Sequence, residues 1–250
     1  MTRSLAMTTP HWASDFYASK TVLVVGGTSG IGLGIATAFR DAGAGVVATG
    51  ATEAEVAAAA TTDGIAFHTL NVRDAAMINA VAANFGPLAA LVDCAGVNLR
   101  AAEFTEEGFT TALDINLTGA MRLATAFRPK LANGGAMLAI GSMFSFFGAP
   151  HAPAYAASKA GLVGLVKSLS IAFAAEGIRV NALAPGWIET AMTAVPRANP
   201  TRFAELSARI PIGRWGTPAD IAPAALFLCS PLASYITGAV LPIDGGYLAM

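Results

Sequence analysis

Between residues 20 and 243, short runs of β-branched and aliphatic residues alternate with longer stretches of helical period, and this alternation constrains the chain more than any other feature. Parallel neighbouring strands need a long returning connection, normally a helix, so the pattern demands strands joined by crossover helices. The runs 20–25, 45–49, 65–71, 88–92, 135–141, 178–183 and 239–243 read as seven strands. Each is nearly all apolar, which requires both faces of the sheet to be covered. Helices are expected over 31–42, 51–60, a stretch opening at Asp74 as N-cap, 108–132, 154–176, 202–209 and 218–229. Residues 185–200 show no period. An irregular segment of that length in a compact domain is usually functional, and it reads as a mobile flap leading into two helices.

With 250 residues, 54% apolar and 12% charged, the chain has ample material for a core; disorder and fibrous or disulfide-dense builds are excluded. One domain over 20–250 is expected, with a flap around 185–210 and an extension over 1–19. The 15 Lys+Arg and 16 Asp+Glu are scattered singly, so no basic stripe points to nucleic acid, and a small-molecule partner is expected. So low a charge density leaves apolar surface to be buried between subunits, hence a homo-oligomer. Residues 1–20 lack an apolar signal core, and 221–243 is interrupted by Pro223, Pro231, Ser234 and Gly238, so no membrane partner and a cytoplasmic location are expected. Cys94 and Cys229 show no CxxC spacing, and His11, His68 and His151 are not clustered, so no metal site is expected.

The first strand runs directly into Gly26-Gly27-Thr28-Ser29-Gly30-Ile31-Gly32, and a helix begins at once. A turn without β-carbons lets a pyrophosphate approach backbone N–H groups at the positive end of a helix dipole. A tight turn packed close on the sheet is the other reading. No Gly-Lys-Ser/Thr follows, which excludes a P-loop, and no G-x-S-x-G stands at a strand end, which excludes the nucleophile elbow.

Ser142 lies just past the fifth strand, and Tyr155 precedes Lys159 by four in Tyr155-Ala-Ala-Ser-Lys159. Residues four apart share a helix face, which sets the ammonium near the phenol, and a neighbouring cation favours phenolate. Such a phenol serves as a proton shuttle near neutral pH, with Ser142 donating to the substrate oxygen. The same residues also suit an ordinary amphipathic helix and a turn serine. Tyr17-Ala-Ser-Lys20 looks similar, but its spacing is three and it precedes the first strand.

With both constellations in place, the sequence resembles the short-chain dehydrogenase/reductase family from residue 20 to 246. The family's glycine turn falls on Gly26, Gly30 and Gly32, with Val25 where a Thr is usual. Its Asn-Asn-Ala-Gly motif appears as Asp93-Cys94-Ala95-Gly96, its helical Asn as Asn116, its Ser, Tyr and Lys as Ser142, Tyr155 and Lys159, and its Pro-Gly stretch as Pro185-Gly186-Trp187-Ile188-Glu189-Thr190. Asp244-Gly245-Gly246 matches late in the chain. The resemblance implies a doubly wound, Rossmann-type α/β fold, a tetramer, and hydride exchange between a nicotinamide cofactor and a carbonyl or secondary alcohol. It implies that Tyr155 moves the proton, Lys159 holds the ribose hydroxyls and lowers the Tyr155 pKa, Ser142 orients the substrate, and Asn116 holds a relay water. Pro185, Gly186, Ile188 and Thr190 would then face the nicotinamide amide; Ser29, Ile31, Ala95 and Gly96 would flank the dinucleotide; and Asn71 and Val72 would line the adenine pocket.

After the second strand an Asp would mark NAD and an Arg NADP. The sequence has Gly50-Ala51-Thr52, with Ser29 in the turn. Without Arg or Lys to pair a 2′-phosphate, the residues lean to NAD over NADP. Met143, Phe144, Phe146, Phe147, Trp187 and Met192 suggest an apolar wall over the nicotinamide or, equally, core and interface packing. His151 and Arg100 stand nearby without identifying a substrate, whose class extends over ketones, polyols, sugar acids and 3-oxoacyl thioesters. A dinucleotide-binding sensor, and a hydrolase or lyase using Tyr155 and Lys159 beside a structural cofactor, are the alternatives.

Overall fold

The computed structural model describes residues 11–250, and the first ten residues of the expected extension lie outside it. In chain order the elements are α1 (His11–Tyr17), β1 (Thr21–Val25), α2 (Gly30–Asp41), β2 (Gly45–Gly50), α3 (Glu53–Ala59), β3 (Ile65–Thr69), α4 (Ala75–Ala83) and β4 (Ala90–Asp93). There follow α5 (Glu106–Leu113), α6 (Gly119–Leu131), β5 (Ala136–Ile140), α7 (Pro153–Phe173), β6 (Arg179–Pro185), α8 (Ala194–Ala198), α9 (Pro200–Ser207), α10 (Pro218–Cys229) and β7 (Val240–Ile243). All seven strands join one sheet in the order β3-β2-β1-β4-β5-β6-β7, and every pairing is parallel. The order reverses between β1 and β4, so crossovers from the two halves run to opposite sides and leave a crevice beyond the strand carboxyl ends.

Two apolar clusters sandwich the sheet. On one face Ile35, Phe39, Ile221, Leu226 and Leu228 pack on Val22, Val24 and Leu138; on the other Leu123, Phe127, Leu131, Leu162 and Val166 pack on Leu23, Leu91 and Met137. Full burial holds for the central strands and fails at the edges. Ala66 and His68 of β3 are not buried, and Leu241 and Pro242 of β7 are exposed. An edge strand has only one flanking neighbour and is covered less.

Local chemistry explains where elements start. Asp74 caps α4, accepting from Met77 N at 2.9 Å as its sequence position suggested. The expected helix over 108–132 begins earlier, because Thr105 caps α5 by accepting from Gly108 N at 3.1 Å. It is also interrupted by a π turn, Asp114–Thr118, between α5 and α6. The segment 185–200 is not structureless: β6 runs to Pro185, and a capping box between Thr190 and Thr193 opens a 3₁₀ turn that leads into α8. Residues 11–17, expected to precede the domain as an extension, form α1 and enter the core. The Tyr17 ring meets Phe39 edge-on at 4.9 Å, and its hydroxyl donates to Leu226 O at 2.6 Å. That use accounts for Tyr17 as a core residue, while Lys20 lies over the Phe16 ring at 5.9 Å. Helix α7 with its 3₁₀ end, Pro153–Glu176, is long and apolar enough to cross a membrane; its buried face, including Leu162 and Val166, lies on the sheet.

Candidate active site

A cavity of about 700 Å³ opens at the carboxyl ends of β1, β4, β5 and β6. Its floor at β1 is the glycine turn. Gly26 has φ +72°, and a β-carbon there would fall 2.8 Å from Ala95 N; a β-carbon on Gly32 would fall 2.1 Å from Gly26 O. Only glycine permits either position. Ser29 stands at the N-cap of α2 without a side-chain capping bond, so the first N–H groups of α2 are left to a ligand. This turn fits the pyrophosphate of a dinucleotide, with an uncapped helix N-terminus beneath a wall of bare backbone.

Ser142, Tyr155 and Lys159 converge on this cavity from the end of β5 and one face of α7. All three are nearly buried. Burial pushes the Tyr155 phenol above its ordinary pKa, hydrogen bonding with Ser142 pulls it down, and the charge of Glu103 pushes it up again. The net direction is upward, set by burial, with the downward pull coming from Ser142. The Lys159 ammonium donates to Ile140 O at 2.7 Å and lies 5.7 Å from the Tyr155 ring centre. Burial pushes Lys159 down, opposed by Asp93 and Cys94. Asp93 is itself pushed up to about 6 by burial, against the pull of Lys159 and a hydrogen bond from Ala95 N.

Asn116 lies behind this cluster, not on the cavity wall. Its amide accepts from Val97 N at 2.8 Å and donates to Val97 O at 2.9 Å and Ser158 Oγ at 3.0 Å, which ties the loop after β4 to α7. Those bonds use both Nδ2 hydrogens and one lone pair of Oδ1, so a relay water has the other lone pair or the carbonyls of the π turn, which leave the regular helical ladder.

At the far end, Ala51, Asn71 and Val72 line the cavity, whereas Gly50 and Thr52 do not. Thr52 spends its hydroxyl capping α3, accepting from Glu55 N at 3.2 Å. Glu55 stands over Gly50: its Oε2 accepts from Ala51 N at 2.7 Å, and a β-carbon on Gly50 would meet Glu55 Oε2 at 3.0 Å. A carboxylate therefore occupies the place that an Asp side chain at position 50 would fill, but it comes from the next helix. Glu55 is the one acidic residue lining the cavity among the described residues. Helix periodicity gave no reason to single it out, since an acidic first turn is ordinary.

The remaining expected residues fall as follows. Ser29, Gly30, Ile31, Ala95, Gly96, Pro185, Gly186, Ile188 and Thr190 all line the cavity. Of the aromatics, Phe144 and Phe147 meet at 5.2 Å, Phe144 meets Tyr155 at 6.3 Å and Trp187 at 6.2 Å, and Phe147 stacks on Tyr247 at 6.2 Å. These rings and Met192 form one side of the cavity, but Phe146 turns outward and is 50% exposed. Arg100 and His151 also line it, with Arg209 from the loop after α9, whose guanidinium stacks 4.4 Å from the Tyr247 ring. Tyr247 and Arg209 escaped the sequence reading because each is an isolated residue far along the chain from the motifs.

Residues 25–248 match the family model described as enoyl-(acyl carrier protein) reductase. The chain is 39% identical over 241 residues to the 2-dehydro-3-deoxy-D-gluconate 5-dehydrogenase of Bacillus subtilis, covering 92% of this chain and 95% of that protein. It is 37% identical over 247 residues to the 3-oxoacyl-(acyl-carrier-protein) reductase of Chlamydia muridarum, covering 93% and 99%. The crystal structure of a candidate NAD(P)-dependent gluconate 5-dehydrogenase from Beutenbergia cavernae, with NADP bound at low occupancy, superposes with a TM-score of 0.84 at 40% identity, covering 93% and 98%.

Proposed function

The chain belongs to the short-chain dehydrogenase/reductase family, NAD(P)-dependent enzymes acting on CH–OH groups, and within it we propose an NAD-linked enzyme that interconverts a secondary alcohol and a ketone, with Tyr155 as the proton donor and acceptor. The observation that carries this reading is the convergence of Ser142, Tyr155 and Lys159 on one wall of a cavity whose floor is the glycine turn. A bound nicotinamide supplies or accepts the hydride. The chain's own residues do the rest. Gly26, Gly30, Gly32 and the first turn of α2 hold the pyrophosphate, and Pro185, Gly186, Ile188 and Thr190 face the nicotinamide amide. Lys159 holds the ribose hydroxyls, and Asn116 braces the loop at 96–98 behind it. Ser142 donates to the substrate oxygen and fixes it beside the phenol. A phenol held above its ordinary pKa is protonated at neutral pH, so Tyr155 stands ready to donate to a carbonyl oxygen; alcohol oxidation requires its proton to leave and speeds up as pH rises.

The choice of NAD rests on Glu55. Its carboxylate hydrogen-bonds ribose hydroxyls well and repels a 2′-phosphate carrying close to two negative charges. The NADP found in the Beutenbergia cavernae structure is a property of that protein. Sugar acids, the class of the Bacillus subtilis relative, head the substrate candidates, because cationic Arg100 and Arg209 line the cavity. Exposed Ile171, Leu232 and Tyr235 favour a homo-oligomer, a tetramer by family resemblance.

The test is hydride exchange with each cofactor across ketones, polyols, sugar acids and 3-oxoacyl thioesters, in wild type and Tyr155→Phe. Turnover is expected with NAD(H), and Tyr155→Phe loses about a thousandfold in kcat with cofactor affinity unchanged. No turnover with either cofactor sinks the proposal, as does a Tyr155→Phe variant within a few fold of wild type.

A further inference from the structure

Helix α7, which carries Tyr155 and Lys159, begins without a local cap. Ala152 occupies the N-cap position and makes no side-chain bond, and Pro153 after it has no N–H to offer. The sequence lacks a Ser, Thr, Asp or Asn there because the cap arrives from elsewhere. Tyr155 N donates to Glu103 Oε2 at 2.8 Å, across 52 residues of chain. The other oxygen of the same carboxylate accepts from Leu99 N at 2.8 Å. Glu103 is 1% exposed, and a buried carboxylate is kept in a fold only where hydrogen bonds satisfy it. Both its bonds go to backbone that borders the cavity: the first turn of α7 and the end of the loop at 96–99.

The surroundings are built for this bridge. Glu103 sits in a 3₁₀ turn, Arg100–Phe104, pressed against α5 at Gly108, where a β-carbon would fall 1.9 Å from Ala102 O and 3.2 Å from Glu103 N. Arg100 between the two anchor points takes φ +53°, an unfavourable conformation for a residue with a side chain. A negative charge at a helix N-terminus is favourable, and here it also lies close enough to the phenol to oppose its ionisation.

We infer that Glu103 is a positioning residue: it bridges the cavity loop to the Tyr155 backbone, fixes both in one frame, and through its charge sets the pH range over which the phenol gives and takes a proton. The inference rests on Tyr155 being the proton donor. Around that phenol the other charged or titratable groups are Lys159 on α7, Asp93 and Cys94 at the end of β4, His151 on the approach to α7, and Arg100 on the 3₁₀ turn. Of the charged groups on elements packed against α7, Glu106 and Glu107 of α5 are exposed, Asp114 of the π turn pairs with Arg73 and Arg122, and Arg179 of β6 is spent on the carbonyls of Leu228 and Ser230.

The test is ionisation of Tyr155 in the free protein, read as near-ultraviolet tyrosinate absorbance in each background minus its Tyr155→Phe counterpart, alongside the pH profile of alcohol oxidation. Glu103→Gln keeps the shape and removes the charge. Both readouts are expected to move to lower pH, and kcat to fall about tenfold with the KM for cofactor unchanged. Glu103→Asp keeps the charge and loses the reach, so kcat falls while the titration stays in place. A Glu103→Gln titration that does not move overturns the inference, even if kcat falls, because a merely structural cap would behave that way. If Glu103→Gln does not fold, wild-type kcat in Glu103→Asp overturns it instead. A fully active Tyr155→Phe variant removes the proton-donor assignment and the role of Glu103 together; an inactive one beside an unmoved titration removes the role of Glu103 alone.

Discussion

Asp93→Asn should stabilise the protein, and only above acidic pH. The carboxyl is 5% exposed, and its pKa is pushed from the ordinary 3.8 to about 6. Burial dominates, and the opposing pull of Lys159 and the Ala95 N–H is already contained in that net value. Because the folded-state pKa lies above the unfolded one, Asp93 contributes fully while protonated, below the unfolded value, and its contribution is lost as pH rises through 6. The two values are about 2 pH units apart, so at neutral pH the buried carboxylate costs about 3 kcal/mol relative to its protonated form. Asparagine retains the acceptor for Ala95 N and has no proton to lose. For a chain of this length each kcal/mol moves Tm by about 2–4 °C, so the expected gap at neutral pH is about 6–12 °C. Thermal unfolding of wild type and variant in parallel from about pH 4 to pH 8 reads the effect, since the titrating groups that Asp93 does not touch cancel between the two, and Lys159, which Asp93 holds up, is the one coupled group. The gap should open from about pH 4 to pH 6, between the unfolded and folded values, and level off above that. A gap that does not depend on pH, or a wild type more stable than the variant at neutral pH, refutes the reasoning.

Glu55→Gln is expected to reduce discrimination against NADP by about tenfold, measured as direct binding of each dinucleotide as well as kcat/KM, because only the charge facing the 2′-position is lost; an unchanged ratio would take Glu55 away from the ribose. Gly50→Asp is a less informative variant, since its β-carbon would already meet Glu55 Oε2 at 3.0 Å. Tyr17→Phe leaves Leu226 O without its buried 2.6 Å donor and should cost about 1–3 kcal/mol in urea unfolding with no change in kcat. A cost near zero would mean that the hydroxyl's bond to Leu226 O contributes nothing to stability.

Much of the site was legible because its signals are local. Gly26 and Gly32 read as a ligand-binding turn from their spacing after a strand, and the β-carbon distances give the steric reason. Tyr155 and Lys159 read as one face because four residues are about one helical turn. The glutamates were not legible. Glu55 and Glu103 sit in acidic stretches, Glu53–Glu55 and Glu103–Glu107, that sequence reading assigns to solvated helix starts. Gly50 and Thr52 were placed beside the cofactor from their position after β2, yet Thr52 caps a helix and Gly50 lies beneath Glu55.

The sequence by itself determined the succession of parallel strands and crossover helices, the bare turn at β1 and the pairing of phenol with ammonium, since each follows from backbone sterics or from a period of two or 3.6 residues. Tertiary structure alone decided which carboxylate reaches the far end of the cavity, which caps α7, and that Lys159 turns to Ile140 O. Those contacts join residues that neither a period nor a local backbone preference relates. They exist only after the strands take their register and the helices settle on the sheet, when a buried charge must find whatever donors the packing has brought near it.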